Sequence, residues 1–241
     1  MSQKSPFQSK IKIYADGADR NSMLELYKNP LVKGFTTNPS LMKSAGVKDY
    51  VGFAKELLAQ IPDRPISFEV FADELPEMKR QGLELKSWGK NVYVKIPVTN
   101  SRGYSTASLV HELSHQGVHL NVTALFTLDQ VWEIAQALKG GAPSVISVFA
   151  GRIADTGRDP IPLMQAASEM CRASDRNIEL LWASTREAWN IVQAELCGSD
   201  IITATPDQIK KTSLFNKDLK EYSLETVQTF KKDAEAAGFK L

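Results

Sequence analysis

Cysteine is nearly absent from these 241 residues. Cys171 and Cys197 are the only two, too few for a disulfide framework and outside any zinc spacing. No apolar run approaches membrane-spanning length, and the opening MSQKSPFQSK lacks the apolar core of a secretory leader. Neither charge is in excess. With 29 basic and 28 acidic side chains the net charge is +1, which gives no pull toward nucleic acid or a membrane surface and leaves room only for a local basic site. No Gly/Ser/Pro-rich linker or charge block divides the chain. What these absences leave is a cytoplasmic, reduced, soluble protein, read as a single domain over 1–241, and 43% apolar residues suffice for a sizeable core.

What is present is alternation. Strand-like runs recur at IKIYADG (from 11), GFTTNP (34), PISFEVF (65), NVYVKIPVT (91), VHLNVTALF (118), SVISVFAG (144), IELLWASTR (178) and IITATPD (200). Between them lie segments with helical apolar spacing, among them 49–60, 128–138 and 162–173, and 223–237 reads as an additional C-terminal helix. Eight such units match a (β/α)8 barrel, of which about 250 residues is typical. A doubly wound open sheet is the alternative, but its strands should be apolar on both faces. Here one parity is polar: Ser67/Glu69 against Ile66/Phe68/Val70, and His119/Asn121/Thr123 against Leu120/Val122/Ala124. In a barrel the inward parity can carry polar groups near the C-terminal mouth, so the barrel is the better fit.

Asp16, Asn38, Glu69, Lys95, Thr123, Ser147, Ser184 and Thr203 all fall late in their strands and would converge on one cavity. Lys95 stands out, because burying an unused ammonium is costly. An amine attacks a carbonyl only when neutral, a state desolvation favours, and Asp16 and Glu69 are then candidate proton carriers. The plainer reading is a buried salt-bridge network of the three. Arg152 and Arg186 lie just beyond strands six and seven, where barrel loops commonly bind phosphate, and Ser184 can add a hydrogen bond; the plainer reading is surface salt bridges. HELSH at 111–115 satisfies the H-E-x-x-H zinc pattern, with Glu133 available as a third ligand. Yet it falls on a helix outside the expected barrel, which argues against a zinc hydrolase.

GFTTNPSL, VYVKIPVT, LNVTALF, SVFAGRIAD, LWASTRE and IITATPDQI, in this order over nearly the whole chain, resemble the successive motifs of the transaldolase family. The resemblance implies a class I aldolase-type barrel in which Lys95 forms a Schiff base with a ketose phosphate, Asp16 is the acid/base of carbon–carbon cleavage, and Glu69 and Thr123 hold a proton-relaying water. It implies substrate contacts from Thr37, Asn38, Asn121, Ser147 and Phe149, with Ser184, Arg152 and Arg186 taking the terminal phosphate. It further implies transfer of a dihydroxyacetone unit to an aldose phosphate, no metal or organic cofactor, and a homo-oligomer, decameric in many compact members, whose C-terminal helix packs on a neighbour. The compact fructose 6-phosphate aldolases carry Gln at the position of Glu69. Glu69 therefore favours transfer over simple aldol cleavage.

Overall fold

The computed structural model describes residues 9–240. Eight parallel strands close into a barrel in chain order, with β1 returning to pair with β8. They are β1 Lys12–Asp16, β2 Val32–Thr36, β3 Ile66–Glu69, β4 Val92–Pro97, β5 Leu120–Leu125, β6 Ser144–Val148, β7 Ile178–Trp182 and β8 Ile201–Ala204. The β1–β8 ladder excludes the open sheet.

Helices fill every connection. α1 (Arg20–Tyr27) follows β1, and α2 (Pro39–Ser44) and α3 (Tyr50–Gln60) follow β2. α4 (Leu75–Ser87), α5 (Ala107–His115) and α6 (Leu128–Leu138) follow β3, β4 and β5 in turn. α7 (Ala150–Asp155) and α8 (Ile161–Ser174) follow β6, α9 (Asn190–Leu196) follows β7, and α10 (Pro206–Lys211) follows β8. The starts are written locally: Asp19 and Asp49 accept from backbone N–H groups of the first turns of α1 and α3, and Thr127 with Gln130 forms a reciprocal capping box on α6. The short helices α2 and α7 are additions to the expected pattern. Each is a six-residue segment placed directly after a strand end, too short to show an apolar period.

The outward parity of the strands is apolar and dry. Phe35, Ile66, Phe68, Val94, Ile96, Leu120, Val122, Ile146 and Leu180 are all fully buried under the helices, each large side chain contributing roughly 1.5–3 kcal/mol of burial. Inside the barrel Tyr14, Val145, Leu181 and Ile201 cluster, with Tyr93 packed against them. Tyr14 fits because β2 has a glycine beside it: a Cβ on Gly34 would sit 2.6 Å from the Tyr14 ring. Burial, reinforced by Glu179, pushes the Tyr14 phenol well above its ordinary range, so it stays neutral. Lys12 and Glu179 pair at 2.7 Å, both partly exposed.

By its contacts the chain forms two compact units, the barrel through Ile209 and a second unit from Lys210 onward. The second is dominated by α11 (Leu219–Ala237), which begins four residues before the expected 223. Asp218 caps its start and Gly238, at φ 65°, ends it in the left-handed conformation. No residue of α11 is buried. Leu219, Tyr222, Val227 and Phe230 fall on one face of it and are all exposed. Among the described residues no helix is long and apolar enough to cross a membrane.

Candidate active site

Strand register alone assembles the centre. Glu69 of β3 lies opposite Lys95 of β4, and Lys95 lies opposite Asn121 of β5. Facing residues of a parallel ladder share a side of the sheet, so all three enter the barrel at one level. On the other side of the ring Asp16 of β1 lies opposite Thr36 of β2, and Tyr14, two residues earlier, lies opposite Thr203 of β8.

Lys95 is 7% exposed. Its Nζ donates to the Thr37 carbonyl at 2.8 Å and stands 3.2 Å from Glu69 Oε2. The cavity it lines is also lined by Asp16, Thr36, Asn38, Asn121, Thr123, Ser147, Phe149, Arg152, Ser184 and Thr203. Glu69 is paired with Lys95 but does not itself line this cavity; the residue also borders a cleft between α3 and α4. Thr37 is buried, with its hydroxyl given to the Ser67 carbonyl. It meets Lys95 through its backbone oxygen, while its hydroxyl is turned to β3. Asn38 is the N-cap of α2, its Oδ1 accepting from Leu41 N–H at 2.9 Å. Asn121 is fixed by two partners, donating to Ser67 Oγ at 3.0 Å and accepting from Ser147 Oγ at 2.6 Å. The sequence signal for Ser67 was its parity with Glu69.

The two arginines differ. Arg152 reaches the cavity from α7 with its guanidinium 5.2 Å from the centre of the Phe149 ring. Arg186 does not line the cavity. It forms a two-pronged ion pair with Asp155, its Nε 2.9 Å from Oδ1, and both groups are largely exposed. That pairing holds the Asp155 carboxyl below the usual carboxylate range. Ser184 adopts a left-handed backbone, φ 65°, where α7 presses on it: a Cβ on Gly151 would overlap the Ser184 carbonyl oxygen at 1.5 Å. Only glycine at 151 allows this approach.

Sequence reasoning missed two residues. Thr36 donates to Asp16 Oδ1 at 2.7 Å, a contact legible only once β1 and β2 are in register. Tyr50, at the start of α3, accepts from Glu69 N–H at 3.1 Å and donates to Glu69 C=O at 3.2 Å. It satisfies both backbone groups of Glu69 where the chain beyond β2 has turned away into α2. No local pattern announces such a tertiary contact.

HELSH lies on α5, in the outer layer. His111 and His115 each direct Nδ1 at a backbone carbonyl, of Ala137 and His111, and Glu112 pairs with Lys79. Among the described residues no three His, Cys, Asp or Glu side chains are grouped as a metal site would need.

The sequence matches the family model described as transaldolase/fructose-6-phosphate aldolase over residues 13–241. It is 34% identical over 215 residues to a probable transaldolase of Methanococcus maripaludis, covering 89% of this chain and 94% of the relative. It is 35% identical over 200 residues to a probable transaldolase of Mesorhizobium japonicum, covering 83% and 88%. Among solved structures it resembles 3-hexulose-6-phosphate synthase from Salmonella typhimurium, with TM-score 0.58 at 12% identity over 85% of this chain and 99% of that one. A monomeric dihydrodipicolinate synthase variant gives TM-score 0.58 at 10% identity, covering 95% and 80%. The last two likenesses establish the barrel fold and nothing finer.

Asp16 generates a stability prediction. Burial raises its pKa, opposed by the Thr36 hydrogen bond and the Lys95 charge. A carboxyl raised in the folded state contributes stability below its unfolded value near ~3.9 and loses it as pH rises through the folded value. Asp16→Asn removes the ionisation and can still accept from Thr36. It is expected to raise the thermal midpoint at pH 7, with the gain vanishing below about pH 4. Thermal melts of both proteins from pH 3 to 8 check this; a pH-independent difference would contradict it.

Proposed function

The chain belongs to the transaldolase/fructose-6-phosphate aldolase family, and from that premise we propose that it transfers a dihydroxyacetone unit from a ketose phosphate to an aldose phosphate through a Schiff base on Lys95. The observation that carries this reading is the placement of Lys95: a nearly dry amine in a barrel mouth, 3.2 Å from a carboxylate and sharing a cavity with a second carboxyl, Asp16.

In this reading Glu69 takes the proton that the Lys95 ammonium must lose. The neutral amine adds to the ketose carbonyl, and the carbinolamine loses water to leave a protonated imine. Asp16 then takes the proton of the hydroxyl on the far carbon, the carbon–carbon bond breaks, and its electron pair collapses toward the imine to give an enamine. An aldose phosphate leaves. Addition of the enamine to an acceptor aldehyde returns the Asp16 proton to the new hydroxyl, and hydrolysis of the imine frees Lys95. The imine is the electron sink, so no cofactor enters the scheme. Asn38 and Asn121 hold the hydroxyls of the retained fragment, Thr123 shares the relay water with Glu69, and Ser147 and Phe149 bound the cavity. Ser184 and Arg152 take the phosphate, with Arg186 completing the grip once it leaves Asp155. A cytoplasmic setting and a place in sugar-phosphate interconversion go with this chemistry.

The aldolase alternative differs only in the fate of the enamine, which is protonated and released as free dihydroxyacetone. Glu69 supports transfer, as the resemblance implies. The exposed apolar face of α11 supports a homo-oligomer, since such a face is ordinarily covered.

Three measurements test these readings. Borohydride reduction in the presence of fructose 6-phosphate should fix one adduct per chain, at Lys95, and Lys95→Met should abolish it while preserving the circular dichroism spectrum. Trapping at another lysine would sink the assignment. Arg152→Ala should cost phosphorylated substrates about 1.5–3 kcal/mol in kcat/KM and unphosphorylated ones little, as for loss of a charged hydrogen bond; equal losses would remove Arg152 from the phosphate site. Light scattering should give a mass several times that of one chain, reduced by Val227→Glu with Phe230→Glu. A monomeric wild type would refute the assembly.

A further inference from the structure

Asp16 must be a base before carbon–carbon cleavage and an acid before the return addition, yet most carboxyl environments favour one form. The structure surrounds it with an arrangement that suits both. Thr36, a residue 3% exposed, donates the single hydrogen of its Oγ1 to Asp16 Oδ1 at 2.7 Å. The same oxygen contacts Thr203 Oγ1 at 2.5 Å. With the Thr36 hydrogen committed to the carboxylate, the hydrogen in the second contact must come from Thr203. The chain thus runs Thr203 to Thr36 to Asp16 while Asp16 is ionised. When Asp16 carries a proton the direction can reverse: the acid donates to Thr36, Thr36 donates to Thr203, and the Thr203 hydrogen turns into the cavity, which Thr203 lines. Each hydroxyl keeps its own hydrogen and only rotates.

We propose that Thr36 and Thr203 form a reversible two-hydroxyl relay that keeps Asp16 hydrogen-bonded in both of its protonation states, with Thr203 as its outer positioning residue. The inference rests on the reading of Asp16 as the acid/base of cleavage. It also accounts for the strands on either side of β1: β2 contributes Thr36 opposite Asp16, and β8 contributes Thr203 opposite Tyr14, one inward position below, each a hydroxyl rather than an apolar side chain. The charged groups that share the cavity with Asp16 are Lys95 of β4, with Glu69 of β3 at its side, and Arg152 of α7. On its own strand Tyr14 lies two residues below, neutral. β2 and β8 present no ionisable group to it. The hydroxyl chain is therefore the part of its surroundings that can reverse without any charge moving.

Removing the Thr203 hydroxyl weakens the charge-assisted bond from Thr36 to the carboxylate, because a hydroxyl that accepts a hydrogen bond is a better donor. The protonated form gains ground. Cleavage of fructose 6-phosphate, read as release of glyceraldehyde 3-phosphate, should then show an acid limb moved to higher pH in Thr203→Val and a kcat lowered about 3- to 10-fold, the effect of losing one hydrogen bond. Thr203→Ser should restore both. Borohydride trapping of dihydroxyacetone on Lys95 reports a step that does not use Asp16, so the loss in cleavage should exceed any loss in trapping, and equal losses in both overturn the relay. If Thr203→Val does not fold, Thr203→Ala carries the same readouts. A wild-type pH profile in the folded variant, or failure of serine to restore it, overturns the relay. Asp16→Asn separates the two ideas. If it cleaves at the wild-type rate the acid/base reading itself fails, whereas an inactive Asp16→Asn beside a silent Thr203→Val removes the relay alone.

Discussion

The contact between Lys95 and Glu69, 3.2 Å apart with side chains 8% and 15% exposed, is the interaction on which the rest of the barrel mouth depends. Two charges withdrawn this far from water are sustained only when their remaining donors and acceptors are matched. Lys95 has a second partner in the Thr37 carbonyl, which requires the chain to bend out of β2 at that residue. The bend starts α2 at Asn38 and removes the β2 partner of Glu69, and Tyr50 fills the gap with one hydroxyl that both donates and accepts. A helix start, a strand end and an outer-layer phenol thus follow from seating one ion pair.

The cavity has two halves of different character. Around Asn121 each end of the amide has one partner, Ser67 at the nitrogen and Ser147 at the oxygen, so the half beside Lys95 is held in a fixed orientation with one donor and one acceptor position still open. Toward α7 and the segment after β7 the positive groups are less committed. Arg152 stacks on Phe149, and Arg186 is bound to a solvent-exposed aspartate, a contact water weakens. The cavity thus combines a stiff polar wall beside Lys95 with more loosely held guanidinium groups toward α7.

Most of the fold was legible because its signal is repeated. Eight strand runs and the helices at 49–60, 128–138 and 162–173 each carry a period, and the polar parity chose the barrel over the open sheet before any contact was known. Asp16, Glu69, Lys95, Thr123, Ser147 and Thr203 were legible as late-strand residues, whereas Asn38 and Ser184, expected late in their strands, lie just beyond the ends of β2 and β7. What was not legible is whatever needs two elements at once. Thr36 is an ordinary strand threonine until β1 lies beside it. Arg186 reads as a phosphate ligand from its position in the sequence, and nothing local says that Asp155, on α7, would take its guanidinium. Thr37 sits inside the right motif, but whether its hydroxyl or its carbonyl enters the site depends on where Ser67 lies across the sheet.

HELSH and Lys95 show why convergence outweighs a short motif. Three specified residues on one amphipathic helix satisfy a zinc pattern, yet a site also needs those side chains to meet something from elsewhere in the fold. On α5 the imidazoles face backbone carbonyls and Glu112 faces Lys79, all ordinary contacts of an outer helix. The residues around Lys95, VYVKIPVT, carry a family resemblance but no general catalytic pattern of the H-E-x-x-H kind. The significance of Lys95 lies in a barrel constraint: parallel strands closed in a ring deliver their last inward residues to one point, whatever lies between them in sequence. A charged residue at that position cannot be solvated the way a surface lysine is, and the strands on either side cannot avoid it. Chemistry at such a point is therefore argued from what eight strand ends jointly contribute, and the polar character of the residues contributed here, from Asp16 to Thr203, is what separates this mouth from a barrel end that is merely packed.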